Sequence, residues 1–415
     1  MAGAPIPNAV VSESAESRQQ NYTPALLSLA VLYFMMGFIT CLNDTLVPFF
    51  KKGFNLTYSQ SSLVQFYFFL TYGLMSIPAG RIVEKVGYKQ GMVLGFGVAA
   101  LGALLFFPAS LLHQYYLFLA ALFIVAIGIV LLQVAANPYI TVLGPAQTAS
   151  SRLTLIQGVG SIGTTTAPLF GAYFILARLE ESTTSGDAVR YPYLGIAALL
   201  LAIALVVSRL NLPAIPAGQS AEAGPAPNQK GAFSFRNLRL GIWGLFFYVG
   251  AEVSIGTFLT NYIADTLTIS ENEANSFVSF YWGSMLVGRL VGSLLLQSVK
   301  PSRVLTVCAV VAIGLIALPV STTGNVAVWS MIAVGLCNSI MFATIFSLAV
   351  VGLGPYTTQA SGLLSTAIAG GAIVSFCQGW LIDHYNWSVA FMLPLVCYSY
   401  IAFYGLNGYK SAAQA

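Results

Sequence analysis

Charge is what this sequence has least of. Only 7% of its 415 residues are Asp, Glu, Lys or Arg, against roughly 25% in soluble domains. With 57% hydrophobic residues and a mean hydropathy of +0.80, such a chain reads as a polytopic membrane protein. Histidine is nearly missing, with only His113 and His384, both at segment ends. The five cysteines (Cys41, Cys308, Cys337, Cys377, Cys397) lie inside apolar segments without metal-site spacing. They read as small core residues, and no metal site is expected. No Gly-rich phosphate loop carries its lysine, no His-Glu-x-x-His occurs, and no soluble domain is present to hold ATP. An enzyme, a cofactor and a nucleic-acid partner are therefore not expected. Residues 1–24 are polar, with Glu13, Glu16 and Arg18 and no basic start leading into a short apolar core. A cleaved signal peptide is not expected, and the first span should stay.

What remains is a series of apolar runs. They cover roughly 25–50, 60–81, 91–110, 115–140, 154–178 and 191–209, then 240–264, 274–297, 303–321, 325–350, 359–382 and 387–406. Runs of about 20 residues span a bilayer as helices, not as ten-residue alternating strands. The one long polar interval, 211–238, holds Pro213, Pro216, Pro225 and Pro227 and reads as a linker. The expected order is an N-terminal tail 1–24, a six-helix bundle 25–210, a linker 211–238, a second bundle 239–407 and a tail 408–415. With the N-terminus inside, Lys51, Lys52, Arg178 and Arg190 fall outside and the other 13 of the 17 basic residues, Arg289 among them, fall inside. That bias places both termini and the linker in the cytoplasm.

Asp44 is the feature that asks for an explanation. It stands in the first run, beside Asn43, where a carboxylate costs roughly 2.5–3.5 kcal/mol to insert. Such a group faces a bundle interior or a wet cavity. The halves are weakly alike: Leu143-Gly144-Pro145 recurs as Leu353-Gly354-Pro355, and Gly80-Arg81 as Gly288-Arg289. The second offset carries Asp44 onto Glu252, another acid in the first helix of its half. Duplicated bundles are a mark of transporters. Hardly any basic residue sits at membrane depth to pair with either acid; Arg289, close to the cytoplasmic end of the eighth span, is the nearest.

Gly80-Arg-Ile-Val-Glu84-Lys85-Val-Gly87-Tyr-Lys89 has the spacing of the major-facilitator loop, in which acid and bases form an ion-pair latch between the halves. Gly379-Trp-Leu-Ile-Asp383 offers a second Gly-x-x-x-acid latch. Gly37 through Phe50, Ile77-Pro-Ala-Gly80, Leu131-Leu-Gln133-Val-Ala-Ala-Asn137-Pro138, Arg152-Leu-Thr-Leu-Ile-Gln157 and Phe247-Tyr-Val-Gly-Ala-Glu252 together resemble the fucose–galactose–glucose:proton symporter family of the major facilitators. The stretch around Glu252 looks closer to its glucose/galactose members. The similarity covers nearly all of the chain outside the N-terminal tail, the 178–190 loop and the linker.

The resemblance implies an all-α membrane protein of the major facilitator fold, with twelve transmembrane helices in two pseudo-symmetric six-helix bundles. It implies import of a hexose or 6-deoxyhexose by alternating access, with Asp44 as the essential carboxylate of the first helix. The family's glutamate before Ala-Ala-Asn-Pro is Gln133 here, which cannot titrate, and Gly160 stands where fucose permease has a sugar-contacting asparagine. Symport with a proton, symport with sodium and uncoupled uniport all stay open. The candidate sugar-binding residues are Asn43, Asp44, Gln65, Gln133, Asn137, Gln157, Glu252, Asn261, Asn338 and Gln378, and the proton-coupling pair is Asp44 and Glu252. Tyr33, Phe38, Tyr67, Tyr72, Phe247, Tyr281 and Trp282 are aromatic candidates to cover a sugar ring, although aromatics in spans more often face lipid or the interface. A monomer in the bacterial inner membrane, surrounded by lipid, is expected. A drug or organic-ion antiporter would carry a cavity dominated by apolar side chains, and a sugar sensor a large soluble output domain.

Overall fold

A backbone amide left unpaired in hydrocarbon costs several kcal/mol, so a spanning segment must satisfy its own hydrogen bonds. The computed structural model does this with helices alone, and no strand occurs among the described residues. These are 23–54, 63–171, 174, 187–210, 212–213, 231–269 and 271–410. The side chains of Asn43, Asp44 and Gln65 lie outside the described residues, as do both tails through residue 22 and from 411, and the linker over 214–230.

The first six-helix bundle comprises α1 (Thr23–Gly53), α2 (Leu63–Val86), α3 (Tyr88–Leu112, turning at Leu105), α4 (Tyr115–Val142), α5 (Ala149–Gly171) and α6 (Asp187–Arg209). The second comprises α7 (Arg236–Leu267), α8 (Glu271–Ser298), α9 (Pro301–Ser321), α10 (Asn325–Ala349), α11 (Gly354–His384) and α12 (Trp387–Gly408). Eleven of these are long and apolar enough to cross a membrane. The other, α5, is as long but carries Arg152, Gln157, Ser161 and Thr164 to Thr166. Its polarity has a structural reason, since α5 faces other helices and a cavity.

The internal repeat survives in local geometry. Gly144 (φ 106°) and Gly354 (φ 53°) both take a positive φ that favours glycine. Each adjoins a proline and a 3-10 turn, Ala146–Thr148 or Gly354–Tyr356, which opens the next helix. Where α1 crosses α5 the backbones touch. A Cβ on Gly163 would lie 2.1 Å from the Phe34 carbonyl oxygen, and one on Gly37 2.3 Å from that of Gly160. Without a hydrophobic drive between helices in lipid, such small-residue contacts hold bundles together. Gly163→Ala is expected to push α1 from α5 and cost about 1–3 kcal/mol. The readout is the melting temperature in detergent, and an unchanged value would refute the contact.

Toward the end of the 86–88 turn the bundles are tied by hydrogen bonds. Gln359 donates to both oxygens of Glu84, at 3.3 and 3.2 Å. Thr358 bonds the Tyr88 hydroxyl at 3.1 Å, and Ser361 donates to the Val134 carbonyl at 3.0 Å. Gly80 packs on Gly362, where an added Cβ would stand 3.4 Å from its Cα. Ser150 bonds Ser347, and Ser151 donates to the Ser293 carbonyl at 2.6 Å. The expected ion-pair latch is thus carried at Glu84 by an amide of the other bundle. Lys85 is exposed in the last turn of α2, Lys89 is half-buried, and Gly87 takes φ 84° at the turn itself. The second latch is not at this seam. Asp383 is exposed 25 residues beyond Thr358 on α11, at the opposite end of that helix. The cysteines also differ from expectation. Cys337 and Cys397 are buried, Cys41 and Cys308 half-buried, and Cys377 exposed, because the outward faces of these helices are themselves apolar.

Candidate functional site

Helical spacing builds the site. On α1, Tyr33 stands three and four residues before Met36 and Gly37, and these four and three before Thr40, so all share one face. Gln133 and Asn137 do the same on α4, and Gln157, Gly160 and Thr164 on α5. The second bundle answers with Tyr248, Val249 and Glu252 from α7, Arg289 from α8, Phe342 from α10 and Ile368 from α11. Between them lies a cavity of about 220 Å³.

The lining is amide-rich and poorly satisfied. Asn137 accepts a short hydrogen bond from the Tyr33 hydroxyl through Oδ1, while its Nδ2 has no partner. Gln133 Oε1, Gln157 Oε1 and Arg289 Nε are also buried without one. Buried polar atoms are nearly always hydrogen-bonded, so four orphans around one cavity point to a polar ligand. Glu252 shares the cavity with Tyr248 and with Arg289, whose charge acts on it. Arg289 extends to Ser161 of α5 and hydrogen-bonds it across the bundle interface.

Of the residues singled out from sequence, Gln133, Asn137, Gln157 and Glu252 come together here. Asn338 stands behind them, fully buried. Its amide donates to the Tyr281 hydroxyl at 3.0 Å, its Oδ1 accepts from Tyr398 at 2.6 Å, and its carbonyl accepts from Tyr248 at 3.2 Å. Tyr281 in turn donates to the Glu252 carbonyl at 3.4 Å. One residue of α10 thus ties α8 and α12 through its side chain and α7 through its carbonyl, behind the Glu252 wall. Asn338→Ala leaves the buried Tyr398 hydroxyl unpaired, at about 1–3 kcal/mol, and takes one of two hydrogen bonds from the Tyr281 hydroxyl. The expected result is a lower melting temperature with weakened substrate binding. A variant that melts and binds like the parent would refute the hub.

Asn261 is exposed on α7, nine residues beyond Glu252. Gln378 is buried on α11 with neither amide atom paired, and it does not line this cavity. Among the aromatic candidates, Tyr33 lines the wall and Tyr72 is buried beside Gln133. Trp282 is exposed.

A protein-family model described as Major Facilitator Superfamily matches residues 29–376. The chain belongs to the major facilitator superfamily. Its relatives narrow the branch. A "Glucose/galactose transporter" of Brucella abortus biovar 1 (strain 9-941) is 49% identical over 400 residues, covering 95% of this chain and 96% of that one. The "L-fucose-proton symporter" of Escherichia coli (strain K12) is 32% identical over 425 residues, covering 95% and 94%. A solved structure of the major facilitator FucP "in the outward conformation" superposes with a TM-score of 0.84 at 30% identity, covering 93% of this chain and 99% of that one.

For this major facilitator, sequence reasoning named Arg289 as the nearest partner for the acids but left it out of the cavity lining. Basic residues near helix ends are ordinarily interfacial, and Gly288-Arg289 matched a loop pattern of the first half. The signal was available in its position, nine residues before the end of α8, or about 13 Å of helix rise. A cation at that depth is costly and therefore employed.

Proposed function

We propose that this facilitator imports a hexose of the glucose/galactose type, with a 6-deoxyhexose as the nearest alternative, in symport with a proton. One observation carries the sugar reading. Amide oxygens, an amide nitrogen and a guanidinium nitrogen, all unpaired, converge on a cavity lined from both bundles. Sugar hydroxyls are donors and acceptors at once and can satisfy all of these groups together. The apolar side chains of Met36, Val249, Phe342 and Ile368 suit the ring carbons. An antiporter for drugs would not need so many amides. The names of the relatives favour the same substrates.

The carboxylates supply the coupling. Glu252 lines the cavity, and the register of α1 puts position 44 in line with Tyr33, Gly37 and Thr40. Gln133 removes one titratable group from the wall, so Asp44 and Glu252 carry the proton between them. The remaining members of the proposed site, Asn43 and Gln65, belong to α1 and α2. With both termini in the cytoplasm of an inner-membrane monomer, the closed end faces inward and the cavity opens outward.

The test is purified protein in de-energised proteoliposomes. Adding glucose or galactose should alkalinise the medium as sugar and proton enter together. Downhill sugar flux without proton movement, at any sodium concentration, would make the protein a uniporter. Flux that needs sodium would replace the coupling ion.

A further inference from the structure

We propose that Arg289 is the residue through which sugar binding loosens the two bundles: it holds Ser161 across the interface while the cavity is empty, and passes to the sugar when the cavity fills. This rests on the sugar-transport reading. The seat is built for a bridging side chain. The site of a Cβ on Gly158 of α5 lies 3.6 Å from Arg289 Cβ and 3.5 Å from Leu290 Cδ2, so the two helices approach closely there. The guanidinium donates through Nη1 to Ser161 Oγ, and Ser161 in turn donates to the Gln157 carbonyl at 3.1 Å. Gln157 itself lines the cavity. Meanwhile Nε of the same guanidinium is buried without a partner, and Glu252 lines the same wall.

Of the cross-bundle hydrogen bonds named above, this one alone uses a side chain that also lines the cavity. The others lie along the closed seam, with Ser151 and Ser293 the next link on the α5–α8 pair. A ligand shifts a conformational equilibrium only by binding one state better than the other. Arg289 provides that difference. A guanidinium has five donors in a fixed fork, so turning it toward sugar hydroxyls strains or breaks its bond to Ser161. Occupancy is thereby converted into a weaker α5–α8 contact, where the bundles must part to open the closed end.

The test uses full-length protein with D-glucose and D-galactose as probes. Binding is followed by calorimetry, and loosening of α5 and α8 by hydrogen–deuterium exchange. In the parent, sugar should raise exchange at the seam. Ser161→Ala removes the competitor, so it should tighten sugar binding about 3- to 10-fold and raise seam exchange before sugar is added. Arg289→Gln should weaken binding at least about 10-fold and abolish the exchange response. Arg289→Lys keeps the charge but loses the fork, and covers the case in which the glutamine variant does not fold. It should bind weakly and lack the response. The inference falls if Arg289→Gln or Arg289→Lys responds like the parent, or if Ser161→Ala weakens binding. A parent protein that neither binds nor carries any hexose would instead overturn the functional reading itself.

Discussion

Asp44→Asn should abolish sugar accumulation. The substitution keeps shape and hydrogen-bonding capacity but removes a charge and a proton site. A hydrogen bond to a charged group contributes about 1.5–3 kcal/mol, so the loss of affinity for sugar should be roughly 10- to 100-fold at 1.4 kcal/mol per tenfold. Coupling should disappear altogether, because an amide cannot carry the proton whose return drives uphill uptake. Counterflow of labelled galactose at saturating sugar separates the two effects. Exchange should persist at high concentration, while accumulation against a gradient stays absent. Uphill uptake at the parent's level would remove Asp44 from the mechanism.

Glu252→Gln should be costly in a different way. Its carboxylate lines the same cavity as Arg289, whose charge acts on it, and both residues are half-buried. Removing one member of a buried charge pair leaves the other uncompensated, at about 3–5 kcal/mol when water is excluded. Glu252 and Arg289 are only half-buried, so the loss should fall below that range. The variant should melt lower and lose uphill uptake. The double variant Glu252→Gln with Arg289→Gln should recover stability without recovering transport, because the unpaired charge is gone while the cavity still lacks both groups. Additive losses in the double variant would show that the two side chains do not interact.

The span pattern was legible because hydropathy is a local property of the chain, and twelve apolar runs became twelve helices. Even α5, the most polar of them, was read as the run 154–178. The cavity was half legible. Gln133, Asn137, Gln157 and Glu252 are polar at membrane depth, which is costly wherever it occurs, so their types and positions flagged them. Asn338 carried the same flag but answers to three tyrosines instead of the cavity. An isolated amide in a span has two uses, ligand contact and helix-to-helix bonding, and its sequence neighbourhood is the same for both.

By itself, the sequence determined the class of the protein, its number of spans and the duplication of its halves. The internal offset and the loop motif are one-dimensional patterns, and they need no knowledge of what packs on what. Only the tertiary structure decided that Arg289 belongs to the cavity, that Gln359 replaces a base opposite Glu84, and that the Gly379–Asp383 motif is far from the closed seam. Each of these depends on how two bundles, separated by some two hundred residues of chain, are turned against each other. That rotation is set by close contacts such as Gly80 on Gly362, which no window of either half contains.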